Sequence, residues 1–307
     1  MGTLKGQNFR VFTAPDPATT HAGLVCVGMA TSCTITETGN TEDASHKDIT
    51  GMAALPTIVS KGWGVQVESL YVGDTAALLT SMKAGQPFLI MWDETNTTDN
   101  VTRVKAAFAR QGMAFLNDAT FTFDNRTNSV KSLQFTGNGA LKTVPSATSP
   151  SSQNVSSFTK GQYVRLFLGS DNTATPAKCI ASARTLSLHA SLTLEDATTK
   201  DTDGDWVVQE PTGFNYDIST SALTRSGETI SSEVDAQAFA DIMDIFEAGN
   251  PVKWLIANVS GDNNRTKGSV ICSGSVVITQ LESNNPNRAD STFTAQLTGY
   301  GDMTVGS

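Results

Sequence analysis

The chain has 307 residues, 39% hydrophobic and 17% charged, which is enough to bury one large core or two of ordinary size. Its formal net charge of -9 is the wrong sign for a protein that grips phosphates, which excludes tight nucleic-acid binding as the expected role. No run approaches the roughly 18 apolar residues of a membrane span, and the opening Met1-Gly2-Thr3-Leu4-Lys5-Gly6 lacks the apolar stretch of an export signal. A protein made and kept in the cytoplasm, with no membrane partner, is expected.

In chain order, Arg10 to Phe12 reads as an opening strand, and a long polar loop is expected from Asn40 to Thr57. Asp74 to Ala84 carries Leu78, Leu79 and Met82 at helical spacing, with Gly85 as its stop. Phe115 to Phe123 and Ser132 to Phe135 alternate as strands, ending at Gly137 and Gly139. Pro145 to Thr159, rich in serine and nearly free of apolar residues, reads as a flexible linker. A second opening strand follows at Arg165 to Phe167. The clearest strand is Thr185 to Leu194, where Leu186, Leu188, Ala190 and Leu192 alternate with Ser187, His189, Ser191 and Thr193. Another polar loop is expected from Ala197 to Glu210, then a helix from Asp235 to Ala248 presenting Phe239, Ile242, Met243 and Phe246 on one apolar face that should pin it to a sheet. Ser275 to Leu281 and Ser291 to Leu297 close the chain as strands.

These elements repeat in order. Lys5, Gly6, Gln7, Arg10 and Phe12 recur as Lys160, Gly161, Gln162, Arg165 and Phe167; Cys26 recurs as Cys179; Glu42-Asp43-Ala44 recurs as Glu195-Asp196-Ala197. Ala84-Gly85-Gln86-Pro87 answers Ala248-Gly249-Asn250-Pro251, with Trp92 near the place of Trp254, and Gln134, Thr136, Gly137 and Gly139 reappear as Gln296, Thr298, Gly299 and Gly301. A tandem duplication is expected, with repeats at 1–144 and 160–307 joined by the linker 145–159 and an insertion in the second repeat between about Ser219 and Asp235. The first 144 residues hold 12 acidic and 11 basic residues and the remainder 18 and 10, so the negative excess lies in the second part. The fold class is mainly β, as two tandem sandwich or barrel domains, each with one flanking helix.

Chemistry is sparse. Of His21, His46 and His189 none sits in a catalytic pattern, and His189 lies on the polar face of its strand. Asp201, Asp203 and Asp205 begin like a calcium loop, but Trp206 stands where glycine is needed and Thr212 where the bidentate glutamate is needed, so a solvated hairpin tip is expected. Gly137 with Gly139, and Gly299 with Gly301, precede no helix that could hold a phosphate, and read as strand-end turns or close backbone approaches. Adjacent pairs such as Glu42 with Asp43 point to opposite faces of a strand and cannot share acid and base roles. Cys26, Cys33, Cys179 and Cys272 read as small buried apolar residues. No catalytic, cofactor-binding or metal-binding residue is assigned, no cofactor is expected, and the chain is read as a non-enzyme.

The order of features in each repeat resembles the tail tube, or major tail protein, superfamily of phages with long non-contractile tails, in its internally duplicated form. These features are the opening strand, alternating strands around a polar loop, a helix ending in Ala-Gly-x-Pro, and two strands closing on Gln-x-Thr-Gly-x-Gly. The resemblance implies a virion structural protein of a siphovirus tail, assembled in the host cytoplasm. Three double-domain chains would make a pseudo-hexameric ring, and rings would stack around a tape-measure protein, capped by tail terminator and tail-tip proteins. DNA would pass only as cargo during ejection. The polar strand faces, His189 among them, are candidates for the bore, and the two long polar loops for contacts with the rings above and below. The alternatives are a tube protein of a contractile tail or secretion-type injection system, or a two-domain β-sandwich adhesin or carbohydrate-binding protein.

Overall fold

The computed structural model describes residues 5–14, 24–48, 54–72, 75–96, 102–104, 106–144, 158–202, 204–224, 236–260 and 265–306. A 3-10 turn at Gly6–Asn8 leads into β1 (Phe9–Ala14), β2 (Val25–Cys26), β3 (Ala30–Asp43), β4 (Pro56–Leu70), α1 (Thr75–Lys83), β5 (Phe88–Glu94), β6 (Arg110–Thr122) and β7 (Val130–Thr143). The second half has a matching turn at Gly161–Tyr163, then β8 (Val164–Leu168), β9 (Lys178–Ile180), β10 (Ala183–Asp196), β11 (Gln209–Leu223), β12 (Ala236–Gln237), α2 (Phe239–Ala248), β13 (Val252–Ser260), β14 (Thr266–Asn284), β15 (Thr292–Gly299) and β16 (Thr304–Val305). The protein is thus mainly β, and each half carries one helix.

The pairing repeats with the elements. In the first half the strands neighbour one another in the order β2-β1-β5-β6-β7-β4-β3. The second half runs β9-β8-β13-β14-β15-β11-β10. Among the described residues β12 beside β9 and β16 beside β14 belong to the second half alone. Irregular backbone recurs too. Left-handed φ angles occur at Met29 and Ser182, at Arg126 and Arg288, and at Gly139 and Gly301. The β4–β3 ladder shifts register between Ala30 and Ser32, as β11–β10 does between Ala183 and Thr185; β6–β7 shifts between Leu116 and Asp118, as β14–β15 does between Ile278 and Gln280. Bulges and left-handed residues are costly wherever they occur, and here they return at matching places in the two halves.

The closing glycines have a steric reason. A Cβ at Gly137 would lie 2.3 Å from the Trp63 ring, and one at Gly299 would lie 2.8 Å from the Tyr216 ring. Trp63 rests in turn on Trp92 at 5.8 Å between centroids, and Tyr216 on Trp254 at 5.7 Å. The two partner tryptophans occupy nearby but not equivalent places, and the sequence put Trp92 only near the place of Trp254. Trp92 pairs with Val11 and Ile256 with Leu166, while Trp254 faces Leu168 two pairs further along. Each ring reaches the same aromatic neighbour from a position two residues apart on one strand face.

One apolar cluster runs through both halves, including Leu79, Phe121 and Phe135 from the first and Leu188, Ile218 and Trp254 from the second. A smaller one behind Phe12 and Met91 has its counterpart behind Phe167 and Leu255. The helices differ. In α1, Leu79 and Met82 are fully buried, as expected. In α2, Ile242 is buried and Phe239 packs partly against the core, but Met243 and Phe246, at the positions matching Leu79 and Met82, stand 39% and 38% exposed. The expected four-residue buried face is therefore only half covered. The reason is that α1 lies over the junction of the two halves, while α2 lies at the outer end of the chain.

Other expected boundaries move. The helices begin at Thr75 and Phe239, with the expected first residues Asp74 and Asp235 outside the described residues. The polar loop from Asn40 to Thr57 shrinks, because β3 continues to Asp43 and β4 starts at Pro56. The expected insertion begins inside β11 and its remainder, 225–235, lies outside the described residues, as do 145–157 of the linker. The linker's last residue is fixed: Thr159 donates its N–H to Tyr71 O at 3.1 Å and accepts from Ser129 N–H at 3.1 Å.

Candidate assembly interface

The two halves are joined edge to edge. The C-terminal part of β6 takes β10 as an antiparallel neighbour, with Asp118 opposite Ser191, Thr120 opposite His189 and Thr122 opposite Ser187. Backbone bonds extend the seam, Phe123 N–H to Leu186 O at 2.7 Å and Asn125 N–H to Arg184 O at 2.8 Å. The joint links unlike edges, the sixth strand of one half to the third strand of the other, so it is head-to-tail.

Four further contacts close over the seam. Below it, Leu79 and Met82 bury themselves in the shared core. At the end of α1, Gly85 sits against Pro211, leaving only 2.9 Å between an added Cβ and the proline ring, and Gly85 is also left-handed, with φ 60°. Lys83 Nζ reaches Asp302 at 3.2 Å and Met303 O at 2.9 Å. Above it, the β10–β11 loop leans onto the first half: Lys61 N–H donates to Asp205 O at 2.6 Å, Gly139 N–H to Val207 O at 2.9 Å, and Gln209 N–H to Asn138 Oδ1 at 2.9 Å. Asp205 also pairs with Lys61 Nζ at 3.3 Å. The aspartate-rich tip, with Asp203 outside the described residues, thus keeps Asp201 exposed and uses Asp205 in a clasp between the halves.

His189 is the polar counterpart of this clasp. Its Nε2 lies 2.7 Å from Asp118 Oδ2 across the seam, and its Nδ1 lies 3.1 Å from Asp217 Oδ2 on β11. Partial burial is the largest influence and acts to lower its pKa, but the hydrogen bond and charge of Asp118, then the charge and hydrogen bond of Asp217, outweigh it and hold the imidazole above its ordinary value. A raised folded pKa means the contribution is complete below the unfolded value of about 6.5 and is lost as pH rises through the folded one. His189→Gln is accordingly expected to lower the thermal midpoint at pH 5.5 more than at pH 8.5, read by circular dichroism. An equal loss at both would show that the imidazolium does not hold the seam. The sequence placed His189 correctly on a polar face, but its partners lie 71 and 28 residues away and no local spacing signals them.

Beyond the seam, β3, β4, β7, β6, β10, β11, β15 and β14 form one continuous sheet with a polar face. Across it run Thr34, Gln66, Gln134 and Asp118 in the first half, and Ser219, Gln296 and Gln280 in the second. Their alternation with buried Val65, Leu133, Ala119, Ile218 and Ala295 makes the other face part of the core.

Among the described residues no group of three His, Cys, Asp or Glu side chains is placed to hold a metal ion. Glu42, Asp43, Glu195 and Asp196 are exposed at strand ends. The cysteines are free thiols: Cys26, Cys179 and Cys272 are buried, Cys33 is half-buried, and burial pushes Cys33 up to about 11. His46 is exposed beside Asp48, and His21 lies outside the described residues. No described helix is long and apolar enough to cross a membrane.

Comparison with protein-family models and with curated proteins returns no match. Among solved structures the chain is similar to one from the tail of an empty GTA particle with C6 symmetry, at 13% identity and a TM-score of 0.36, over 48% of this chain and 99% of that one. It is similar to a chain of the virion of a native gene transfer agent particle, at 14% identity and a TM-score of 0.34, over 48% and 99%, and to the SPP1 tail tube, at 15% identity and a TM-score of 0.35, over 48% and 78%.

Proposed function

We propose that this chain is a structural subunit of a tail tube, a tandem duplication whose two domains, 1–144 and 160–307, take two successive places in a ring. The observation that carries this reading is the head-to-tail joint: β6 of the first half takes β10 of the second in one continuous sheet. A heterologous joint does not use itself up, because each added unit presents the edge that the last one consumed, and the series ends only by closing or by running on. Three chains would supply six such units around one bore, in a virion tail of the siphovirus type, assembled in the host cytoplasm.

The polar sheet face, rich in Ser, Thr and Gln and bearing Glu68, Asp118 and Asp217, would line the bore. A surface of that sign does not hold phosphate, which suits a channel that DNA only passes through. In this reading the rings stack around a tape-measure protein and meet tail terminator and tail-tip proteins at the ends, and the chain has no enzymatic role. Negative-stain electron microscopy beside a solution mass measurement tests it. Rings or stacked tubes with three chains per layer are expected; a chain that stays monomeric at every concentration would overturn it.

A further inference from the structure

The seam inside the chain has two unfilled counterparts at its ends. In β10, Arg184 and Leu186 turn their carbonyls to the first half, so by strand alternation Leu188 and Ala190 do the same. The equivalent strand of the first half is β3, where Ile35 and Glu37 stand at the places of Leu188 and Ala190, as the matching register shifts fix. Among the described residues β3 pairs with β4 alone, and its other edge is open. At the far end of the sheet, the shift at Ile278/Gln280 makes Gln280–Asn284 of β14 the equivalents of Asp118–Thr122 of β6. Among the described residues, this part of β14 pairs with β15 on one side only.

Packing points the same way and is independent of the strands. Leu79 and Met82, buried at the internal seam, correspond to Met243 and Phe246, exposed at the outer end. Gly85, pressed against Pro211, corresponds to Gly249, which has nothing within 4 Å of an added Cβ. Pro211 corresponds to Ile58, which is 49% exposed on β4. The strand edges, the two helix residues, and the glycine with its cover therefore each have an uncovered counterpart, one set beside β14 and the complementary set beside β3.

We propose that β3 of one copy pairs antiparallel with the end of β14 of a second copy, reproducing the internal seam, with Thr34 opposite Asn284, Thr36 opposite Glu282 and Thr38 opposite Gln280. Met243 and Phe246 then pack under the second copy's β3, and its Ile58 covers Gly249. The proposal deepens the tube-subunit reading and rests on it for the number of copies in a ring. It also makes the two seams chemically unlike. The positions of His189, Asp118 and Asp217 are taken between copies by Thr36, Gln280 and Gly64, so the contact between copies has no counterpart of the imidazolium clasp.

Two variants that each add one cysteine, Thr36→Cys and Glu282→Cys, made in a chain whose Cys33 is replaced by Ser, test the register. Their internal equivalents, His189 and Thr120, face each other as a non-hydrogen-bonded pair with Cα atoms expected about 4.5 Å apart, within disulfide reach. Mixed and mildly oxidised, the two variants should give a covalent dimer that neither variant gives alone and that Thr36→Cys with Gln280→Cys does not give. Glu37→Pro, which removes an edge N–H while its exposed side chain leaves the core untouched, should keep the native circular dichroism spectrum and stay monomeric. Rings that form without the 36–282 product, or a self-dimer of Thr36→Cys, would overturn this seam and leave the tube reading standing. Absence of both cross-link and rings in the parent and the variants would overturn both.

Discussion

Phe246→Asp is expected to leave the isolated chain folded and to abolish its assembly. Phe246 is 38% exposed and lies near the end of α2, so its loss should change chain stability by no more than about 1 kcal/mol. In a contact between copies that repeats the internal seam it would be fully covered, and that burial contributes about 1.5–3 kcal/mol. A carboxylate there adds a desolvation cost, so each contact between copies should weaken by at least about a hundredfold. The matched change in the first half has the opposite signature. Met82 is fully buried, and Met82→Ala should cost about 2–5 kcal/mol of chain stability. Urea unfolding gives stability and light scattering gives mass. If Phe246→Asp assembles as the parent does, the exposed face of α2 is not part of the contact.

That contrast marks what was legible in the sequence. The matching order of elements in the two halves was readable because it is carried by local signals: the glycine that stops each helix, the Gln-x-Thr-Gly-x-Gly closure and the opening strand. The alternation from Leu186 to Leu194 located β10 to within two residues at each end. The helical spacing in α2 was also read correctly, but spacing reports amphipathicity, not what covers the face. Met243 and Phe246 look identical in sequence whether they meet their own sheet or another chain. The seam itself was hidden, since Asp118 and His189 belong to strands whose pairing depends on how two domains are oriented. Trp92 and Trp254 fall near each other's place for a different reason: each packs on an aromatic of β4 or β11, and a ring that large reaches its neighbour from either of two positions on one strand face.

A large loss of chain stability from a single change is expected at Asp93, a position the two halves fill differently. Asp93 is fully buried on β5, and its Oδ1 accepts the N–H groups of Glu94 at 2.8 Å and Ala106 at 2.9 Å, while Oδ2 accepts from Nε of Arg103, itself 4% exposed. The matching residue of β13 is Ala257, also fully buried, so an apolar solution to the same position exists within the same chain. A buried ion pair gains little net stability over an apolar replacement, but removing one partner of it is costly. Asp93→Ala is therefore expected to cost about 3–5 kcal/mol, a large share of the roughly 5–15 kcal/mol that holds a domain folded. Adding Arg103→Met should recover most of that loss, leaving about 1–3 kcal/mol for the Ala106 N–H without its acceptor. Equal urea midpoints for the single and double variants would mean that the carboxylate acts through the backbone of the segment from Glu94 to Ala106 and not through the arginine. A recovered midpoint would assign the loss to the broken Asp93–Arg103 pair, and would show that the first half holds with a buried charge pair what the second holds with a methyl group.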